Sequence, residues 1–228
     1  MEPELGPERY IWQMDRIALE NVVPAVFAGN GNLVSDVWRQ NVTFEKGRTY
    51  LVEAASGTGK STMCSYIIGY RHDYSGRILF DDEDIRSFGD ARWSYIRQRN
   101  ISLLFQELRL FPELTALENI AIKNQLTKHK SDADIMEWFE RLGIGDKVDS
   151  RLGLMSYGQQ QRVAMIRALV QPFDFIVVDE PISHLDEENS RIMADIMHEE
   201  AMEQGAGVIV TSIGKHMSNL KYDGIIKL

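Results

Sequence analysis

A glycine-rich segment at residues 54–61 (AASGTGKS) limits the folds open to this chain more than any other feature. An apolar run at 49–53 precedes it, and a run with helical spacing at 60–70 follows it. Gly57 and Gly59 allow a tight turn in which successive backbone N–H groups point at phosphate oxygens. Lys60 supplies a positive charge for the β- and γ-phosphates of a nucleotide, and Ser61 supplies a hydroxyl for Mg²⁺. The pattern predicts a strand, a phosphate-binding loop and a helix, and therefore an α/β fold.

The loop departs from the usual pattern at its first position, and a second interpretation stays open. The pattern begins with glycine, whereas this chain has Ala54, the smallest replacement. A glycine-rich turn followed by a surface lysine would give the same letters without binding a nucleotide. The flanking strand and helix favour the phosphate-binding loop.

Apolar runs and helical periodicity alternate along the rest of the chain, which predicts a mainly parallel sheet. We predict strands at residues 17–27, 49–53, 77–80, 101–105, 175–178 and 208–211, and helices at 60–70, 135–142 (preceded by a cap at 131–134), 159–170 and 187–204. We expect a mobile tail at residues 1–10 and a single domain at 11–228. Its core would span about 11–89 and 159–228, and a mostly helical inserted subdomain would span about 90–158.

The charge and the cysteine content exclude several classes of protein. A formal net charge of −9 argues against non-specific nucleic-acid binding, which needs a basic surface, so no nucleic-acid partner is expected. The single cysteine, Cys64, excludes an internal disulfide, favours a reducing compartment and is expected in the core. No apolar stretch approaches the length of about 18 residues that a membrane-spanning helix needs. We therefore expect a cytoplasmic protein.

An apolar strand at 175–178 is followed by two carboxylates, Asp179 and Glu180. In open α/β folds the carboxyl edge of the sheet is where ligands bind. Asp179 can hold Mg²⁺ through water, and Glu180 can activate an attacking water as general base. Solvated acids at a strand end are the alternative, but phosphoryl transfer needs both phosphate binding and metal placement, and this chain has a motif for each.

Three further segments resemble motifs of the ATP-binding-cassette (ABC) ATPases. Residues 155–162 (MSYGQQQR) resemble the family's signature motif, usually Leu-Ser-Gly-Gly-Gln followed by Gln-Arg. Residues 105–112 (FQELRLFP) resemble its glutamine loop, with Gln106 as the glutamine, and residues 183–186 (SHLD) resemble its D-loop. The motifs follow the family's order from about residue 17 to residue 228. Residues 114–120 and 159–169 are similar to the ATPases of lipoprotein release, macrolide export and the cell-division complex.

The resemblance implies a fold and a shared site. The fold is that of a P-loop NTPase: a RecA-like core with a mainly parallel sheet, an antiparallel β subdomain and an inserted α-helical subdomain. Two such domains stack head to tail, with ATP and Mg²⁺ between the phosphate loop of one chain and the signature of the other. The nucleotide would contact Ser56, Gly57, Thr58, Gly59, Lys60, Ser61 and Thr62 of one chain and Ser156, Gly158 and Gln159 of the other. Mg²⁺ would contact Ser61, Gln106 and Asp179, and the catalytic set would be Glu180, Lys60 and Ser212.

An aromatic residue ahead of the phosphate loop stacks on adenine in this family. Phe27 is our candidate, and Trp38 is the alternative. Simple packing in the core would explain either ring equally well.

Two positions depart from the family's motifs. Tyr157 stands where the signature has its first glycine, and a tyrosine cannot adopt the backbone angles that only glycine reaches. Ser212 stands where the family has a histidine that contacts the γ-phosphate. A serine hydroxyl carries no charge and reaches less far than a histidine side chain. His216 could take the place of the missing histidine, but a surface position is the simpler interpretation of His216. We expect a slow or regulated ATPase.

Leu108, Leu110, Phe111 and Leu114 follow Gln106 and fit either the core of the helical subdomain or a groove for a helix of a membrane partner. We favour the groove. The resemblance then implies a transmembrane permease-type subunit docked near residues 106–114 at the inner face of the membrane, and a second ABC ATPase domain, most simply in a homodimer. Energising transport, for example lipoprotein or small-molecule export, is the leading function. A cell-division-type module that transmits force without transport is the alternative.

Overall fold

The computed structural model describes residues 12–30, 33–182, 185–214, 216–217 and 219–228. Within these residues the strands are β1 (Arg16–Pro24), β2 (Asn41–Glu45), β3 (Thr49–Glu53), β4 (Tyr74–Phe80), β5 (Glu83–Asp84), β6 (Ile101–Leu104), β7 (Phe175–Asp179), β8 (Gly207–Ser212) and β9 (Gly224–Lys227). The α-helices are α1 (Lys60–Ile67), α2 (Asp90–Arg99), α3 (Ala116–Asn124), α4 (Asp132–Arg141), α5 (Tyr157–Leu169) and α6 (Glu187–Gln204). The tail predicted at residues 1–10 lies outside the described residues.

Two sheets organise the fold and confirm the predicted class. Strands β2, β1, β4 and β5 form an antiparallel sheet in that order. Strands β6, β7, β8, β3 and β9 form a parallel sheet, in which β3 and β7 both pair with β8. Because parallel strands point the same way, the carboxyl ends of β3, β7 and β8 meet at one edge. That edge carries the phosphate loop, Glu180 and Ser212.

Apolar cores cover both faces of the parallel sheet, as a parallel sheet requires. One core contains side chains of α3, α4, α5 and α6, and the other contains side chains of α1, α2 and the antiparallel sheet. Adjacent residues of β3 face opposite ways, so Leu51 lies in the first core and Val52 in the second. Cys64 is buried in the second core, as predicted, and burial raises the pKa of its thiol.

Several predicted boundaries move, each for a local reason. The strand predicted at 17–27 ends at Pro24, and Ala25–Phe27 form a 3₁₀ turn, because proline lacks the N–H that continues a ladder. The helix predicted at 60–70 ends at Ile67, close to Gly69, which adopts a left-handed φ of 65°. The helix predicted at 135–142 begins earlier, at Asp132, because Ser131 caps it through the N–H of Asp134.

The segment 90–158 is mostly helical but also contains β6, which joins the edge of the parallel sheet. Its helix α3 packs mainly against α5, which lies almost entirely beyond residue 158. The division of the chain at residues 90 and 158 stays a prediction. No helix in the described part of the chain combines the length and the apolar character needed to cross a membrane.

Candidate functional site

The phosphate loop joins the end of β3 to the first residue of α1. Gly57 and Gly59 adopt left-handed φ values of 82° and 102°, which other residues rarely reach, so both glycines are needed for the turn. Ala54 is not among the left-handed residues, so its methyl group fits the first position without strain. Its N–H donates to the carbonyl of Ser212 at 3.0 Å, which ties the loop to β8.

The chain brings four of the predicted site residues into contact at the carboxyl edge of the sheet. The Lys60 ammonium, only 5% exposed, lies 3.2 Å from Oε1 of Glu180. Nε2 of Gln106 donates to Oε2 of the same carboxylate at 3.3 Å. The Ser61 hydroxyl donates to Oε1 of Gln106, also at 3.3 Å. Residues from the phosphate loop, the glutamine loop and the end of β7 therefore converge on one point.

Backbone geometry places the two carboxylates differently. Asp179 is the last residue of β7 and is buried, and its Oδ1 accepts a hydrogen bond from the Thr211 hydroxyl at 2.5 Å. Glu180 adopts a left-handed φ of 52°, and its N–H donates to the carbonyl of Thr211. The left-handed turn ends the strand and directs the second carboxylate toward Lys60. A non-glycine residue in this region costs about 1–3 kcal/mol, which is typical of functional sites.

The donor atoms at this edge suit a hard divalent cation. Oxygen ligands are what Mg²⁺ prefers, and this site offers the Ser61 hydroxyl, the Gln106 amide oxygen and the carboxylates of Asp179 and Glu180. Ser61 and Gln106 are already in contact with each other. Asp179, the third predicted ligand, is buried at the end of β7, and the predicted magnesium set stays a prediction.

The signature residues lie at the start of α5. Ser156 is the N-cap: its hydroxyl accepts from the N–H of Gln159 at 3.3 Å, and Oε1 of Gln159 accepts from the N–H of Ser156 at 2.9 Å. Tyr157 and Gly158 are the first two helical residues. Tyrosine adopts helical angles readily, so the expected conflict with glycine-only angles does not arise. The signature residues that the resemblance predicts to contact a partner chain's nucleotide thus lie at a helix N-terminus, which favours anions.

Comparison with known protein families identifies the family of this chain. The sequence model described as "ABC transporter" matches residues 38–183, which is more than half of the chain. The chain belongs to the ABC transporter family. It is an ATPase of that family, as the resemblance of its motifs predicted.

Individual relatives agree with this assignment. The lipoprotein-releasing system ATP-binding protein LolD of Myxococcus xanthus is 31% identical over 87% of this chain and 90% of its own length. The dimeric structure of MJ0796, a bacterial ABC transporter cassette, superposes with a TM-score of 0.78 at 25% identity, over 92% of this chain and 94% of that one. A second dimeric structure of MJ0796, in a post-hydrolysis state with ADP and Pi, gives a TM-score of 0.73 at 25% identity, over 86% and 87% of the two chains.

Both candidate aromatic residues of this ABC cassette pack at the phosphate loop. A methyl group built on Gly59 would lie 3.1 Å from the rings of both Phe27 and Trp38. Trp38 is 1% exposed, and its indole N–H donates to the carbonyl of Thr58 at 3.0 Å, so it stabilises the phosphate loop. Phe27 is only partly buried. Phe27 therefore remains the candidate for stacking on adenine.

The end of β8 replaces the family's switch histidine with a buried serine. Ser212 is 5% exposed and pairs with Glu53 in the parallel ladder. The His216 ring contacts Glu53, with its Nε2 2.5 Å from Oε1 of that carboxylate, and packs edge-on against Tyr222. This placement agrees with a surface role for His216 rather than a role at Glu180. Lys215 and His184 lie outside the described residues.

The apolar residues after Gln106 do not all line a groove. Leu108 is 4% exposed and belongs to the first core, so the groove interpretation is wrong for this residue. Leu110 is partly buried and packs against the same core, and its place in a groove stays a prediction. Phe111 is 50% exposed and Leu114 is partly buried. Leu108 turns inward because it and Arg109 adopt left-handed φ values of 60° and 49°.

The sequence did not indicate the roles of three residues that hold the site together. Thr211 orients Asp179, and Trp38 supports the phosphate loop rather than stacking on a base. Arg167 of α5 donates to the carbonyls of Leu108 and Arg109 at 2.5 and 2.7 Å, which holds the left-handed turn after Gln106. An arginine in an otherwise apolar stretch of α5 was a signal for such a role, because buried guanidinium groups need acceptors.

Proposed function

We propose that this chain is the ATP-hydrolysing subunit of an ABC membrane complex and energises transport through ATP-driven dimerisation. The observation that carries the proposal is the contact group of Lys60, Ser61, Gln106 and Glu180 at the carboxyl edge of the sheet. The contact group supports the proposal, because a cation for phosphate, a hydroxyl for a metal ion and a carboxylate general base would all lie close to one bound phosphoryl group.

The contacts suggest how the site begins a cycle. Lys60 holds the Glu180 carboxylate at 3.2 Å, so the γ-phosphate of ATP competes with that carboxylate for the ammonium. Binding of the phosphate releases Glu180, which then accepts a proton from the attacking water. The Ser61 hydroxyl, the Gln106 amide and Asp179 would hold Mg²⁺, which would neutralise charge on the phosphates. Ser156, Gly158 and Gln159 of a second chain would contact the γ-phosphate.

We further propose that hydrolysis is slow or regulated. The hydroxyl of Ser212 donates a neutral hydrogen bond to the γ-phosphate, whereas a histidine would donate a longer-reaching and, when protonated, charge-assisted one. The left-handed Glu180 keeps the general base in place, so the reaction itself is retained. The expected result is full nucleotide binding with reduced turnover.

The membrane partner is proposed to dock beside Gln106, where the surface carries an exposed aromatic ring and charges of both signs. Phe111 is half exposed, and the Arg109 guanidinium lies 4.0 Å from the centre of the Phe105 ring. A cytoplasmic helix of a permease-type subunit would insert its apolar residues there, attaching the chain to the inner face of the membrane. The name of the Myxococcus relative supports lipoprotein export as the transported class, with small-molecule export as the wider category.

One experiment tests the proposal as a whole. The chain is purified together with the membrane protein that it binds, and ATP hydrolysis is measured for wild type and for Glu180→Gln. The amide cannot accept the proton, so we expect at least a hundredfold loss of turnover and an ATP-bound dimer that is stable in size-exclusion chromatography.

Glu137→Gln, on the exposed face of α4, is the matched control and should behave as wild type. A Glu180→Gln protein that binds no ATP, or that keeps wild-type turnover, would contradict the catalytic assignment. Reconstitution into vesicles then separates transport from force transmission, because only a transporter moves a substrate as ATP is hydrolysed.

A further inference from the structure

The tyrosine that replaces the signature's first glycine makes a contact that a glycine cannot make. The Tyr157 hydroxyl donates to the backbone carbonyl of Gln106 at 2.9 Å, across 51 positions of the sequence. The ring is 42% exposed, so the core does not dictate its direction. A signature residue is thereby joined to the glutamine loop of its own chain.

The residue held in this way is the one that joins the rest of the site. The Gln106 side chain accepts from Ser61 and donates to Glu180, both at 3.3 Å. A shift of its backbone would move the amide away from both partners. These two hydrogen bonds are long, so the position of the amide depends on how the loop is anchored.

Helix α5 anchors that loop at two places. Tyr157 holds the carbonyl of Gln106 at the start of the helix, and Arg167, ten residues later, holds the carbonyls of Leu108 and Arg109. Because a helix rises about 1.5 Å per residue, the two anchors are about 15 Å apart along one rigid rod. A loop fixed at both ends of such a rod moves together with the helix.

The tyrosine remains a donor under ordinary conditions. Burial raises the pKa of Tyr157, and the charges of Glu107 and Glu180 raise it further. Deprotonation is therefore displaced to still more alkaline pH, and the hydroxyl keeps its proton at neutral pH.

We propose that Tyr157 is a positioning residue for the ATPase reaction: its hydroxyl fixes Gln106 and links the signature motif to the Mg²⁺-binding amide of the same chain. The inference rests on the proposed function. In a head-to-tail dimer the signature faces the partner's nucleotide, while Gln106 serves the chain's own nucleotide. Engagement of one ATP site is then transmitted to the other through this hydrogen bond.

Tyr157→Phe tests the link, because it removes the hydroxyl and keeps the ring. Hydrogen exchange of the amides in residues 105–110 should become two- to tenfold faster, the effect of losing one neutral hydrogen bond. The factor by which Mg²⁺ tightens the binding of a fluorescent ATP analogue should fall by a similar amount. Binding of the analogue without Mg²⁺ should stay at the wild-type value.

Tyr66→Phe is the matched control. The Tyr66 hydroxyl also donates to a backbone carbonyl, that of Asp73, at the same distance of 2.9 Å. Tyr66→Phe should reduce stability without changing exchange at residues 105–110 or the Mg²⁺ effect. Tyr157→Gly, which restores the family's usual residue, should match Tyr157→Phe in both measurements.

Three outcomes would overturn the inference. Unchanged exchange at residues 105–110 in Tyr157→Phe would show that the hydroxyl does not anchor the loop. Faster exchange with an unchanged Mg²⁺ effect would show that the anchor does not position Gln106. A large effect of Tyr157→Gly beside a wild-type Tyr157→Phe would assign the role to the ring. A wild-type chain that binds no ATP would instead contradict the proposed function, while the exchange measurement would still decide the anchor.

Discussion

At the scale of single residues, the serine at the end of β8 is the departure with the clearest kinetic consequence. Ser212→His should raise turnover about tenfold, because a charge-assisted hydrogen bond to the γ-phosphate is roughly twice as strong as a neutral one. Ser212→Ala should lower turnover and leave the dissociation constant for ATP within about twofold. Steady-state hydrolysis and binding of a fluorescent ATP analogue measure the two quantities. A wild-type turnover above about 10 s⁻¹ that Ser212→Ala does not change would contradict a slow ATPase.

The same scale shows which site residues the sequence could predict. Lys60, Ser61, Gln106 and Glu180 were predictable because each carries its chemistry within a short motif, and the parallel sheet brings the motifs to one edge. The contact of Tyr157 was not predictable, because its acceptor is a backbone carbonyl whose position depends on the whole fold. Motifs specify side-chain chemistry, whereas contacts between them depend on packing.

At the scale of elements, α3 carries a lysine whose charged form is destabilised by burial. The Lys123 ammonium lies 3.4 Å from the Ser102 hydroxyl of β6, and burial together with the Arg167 charge lowers its pKa from 10.5 to about 7. Between these two values the unfolded chain binds more protons than the folded chain. Stability should therefore rise with pH across this window, by up to about 1.4 kcal/mol per pH unit.

Urea unfolding at pH 7, 8.5 and 10 measures this rise, and Lys123→Met should flatten it and stabilise the protein most at pH 7. Lys221→Met, at an exposed position, is the control and should keep the wild-type slope. Equal slopes for wild type and Lys123→Met would show that Lys123 keeps its charge in the folded state.

Elements were predictable where local chemistry decides them and not where tertiary pairing does. The cap at Ser131 marked the start of α4, and the buried run of β7 identified a central strand. Strand β5 has two residues and exists only through its pairing with β4. Arg167 holds the left-handed turn at Leu108. The apolar residues around this turn suggested an exposed groove, whereas the fold buries Leu108.

At the scale of the whole molecule, one buried carboxylate joins parts of the chain that lie far apart in sequence. Asp174, just before β7, accepts from the N–H of Met14 at 2.9 Å and from Nδ2 of Asn100 at 2.6 Å, and it pairs with Lys46 beside the antiparallel sheet. Because Asp174 is 6% exposed, its loss leaves the Lys46 ammonium and the Met14 N–H without their acceptor in a poorly solvated place, while Asn100 keeps only the Trp12 carbonyl.

Asp174→Ala should therefore lower the free energy of unfolding by about 3 kcal/mol, as the loss of one partner of a buried ion pair does. Urea unfolding followed by fluorescence and by circular dichroism measures the loss. Asp82→Ala, which removes an exposed partner of Arg16, should cost less than about 1 kcal/mol. Because the two sheets still share the second apolar core, the two probes should give coincident transitions shifted to lower urea. A transition that splits in two would show that the sheets unfold independently once this junction is lost, and a shift no larger than that of Asp82→Ala would show that the junction contributes little.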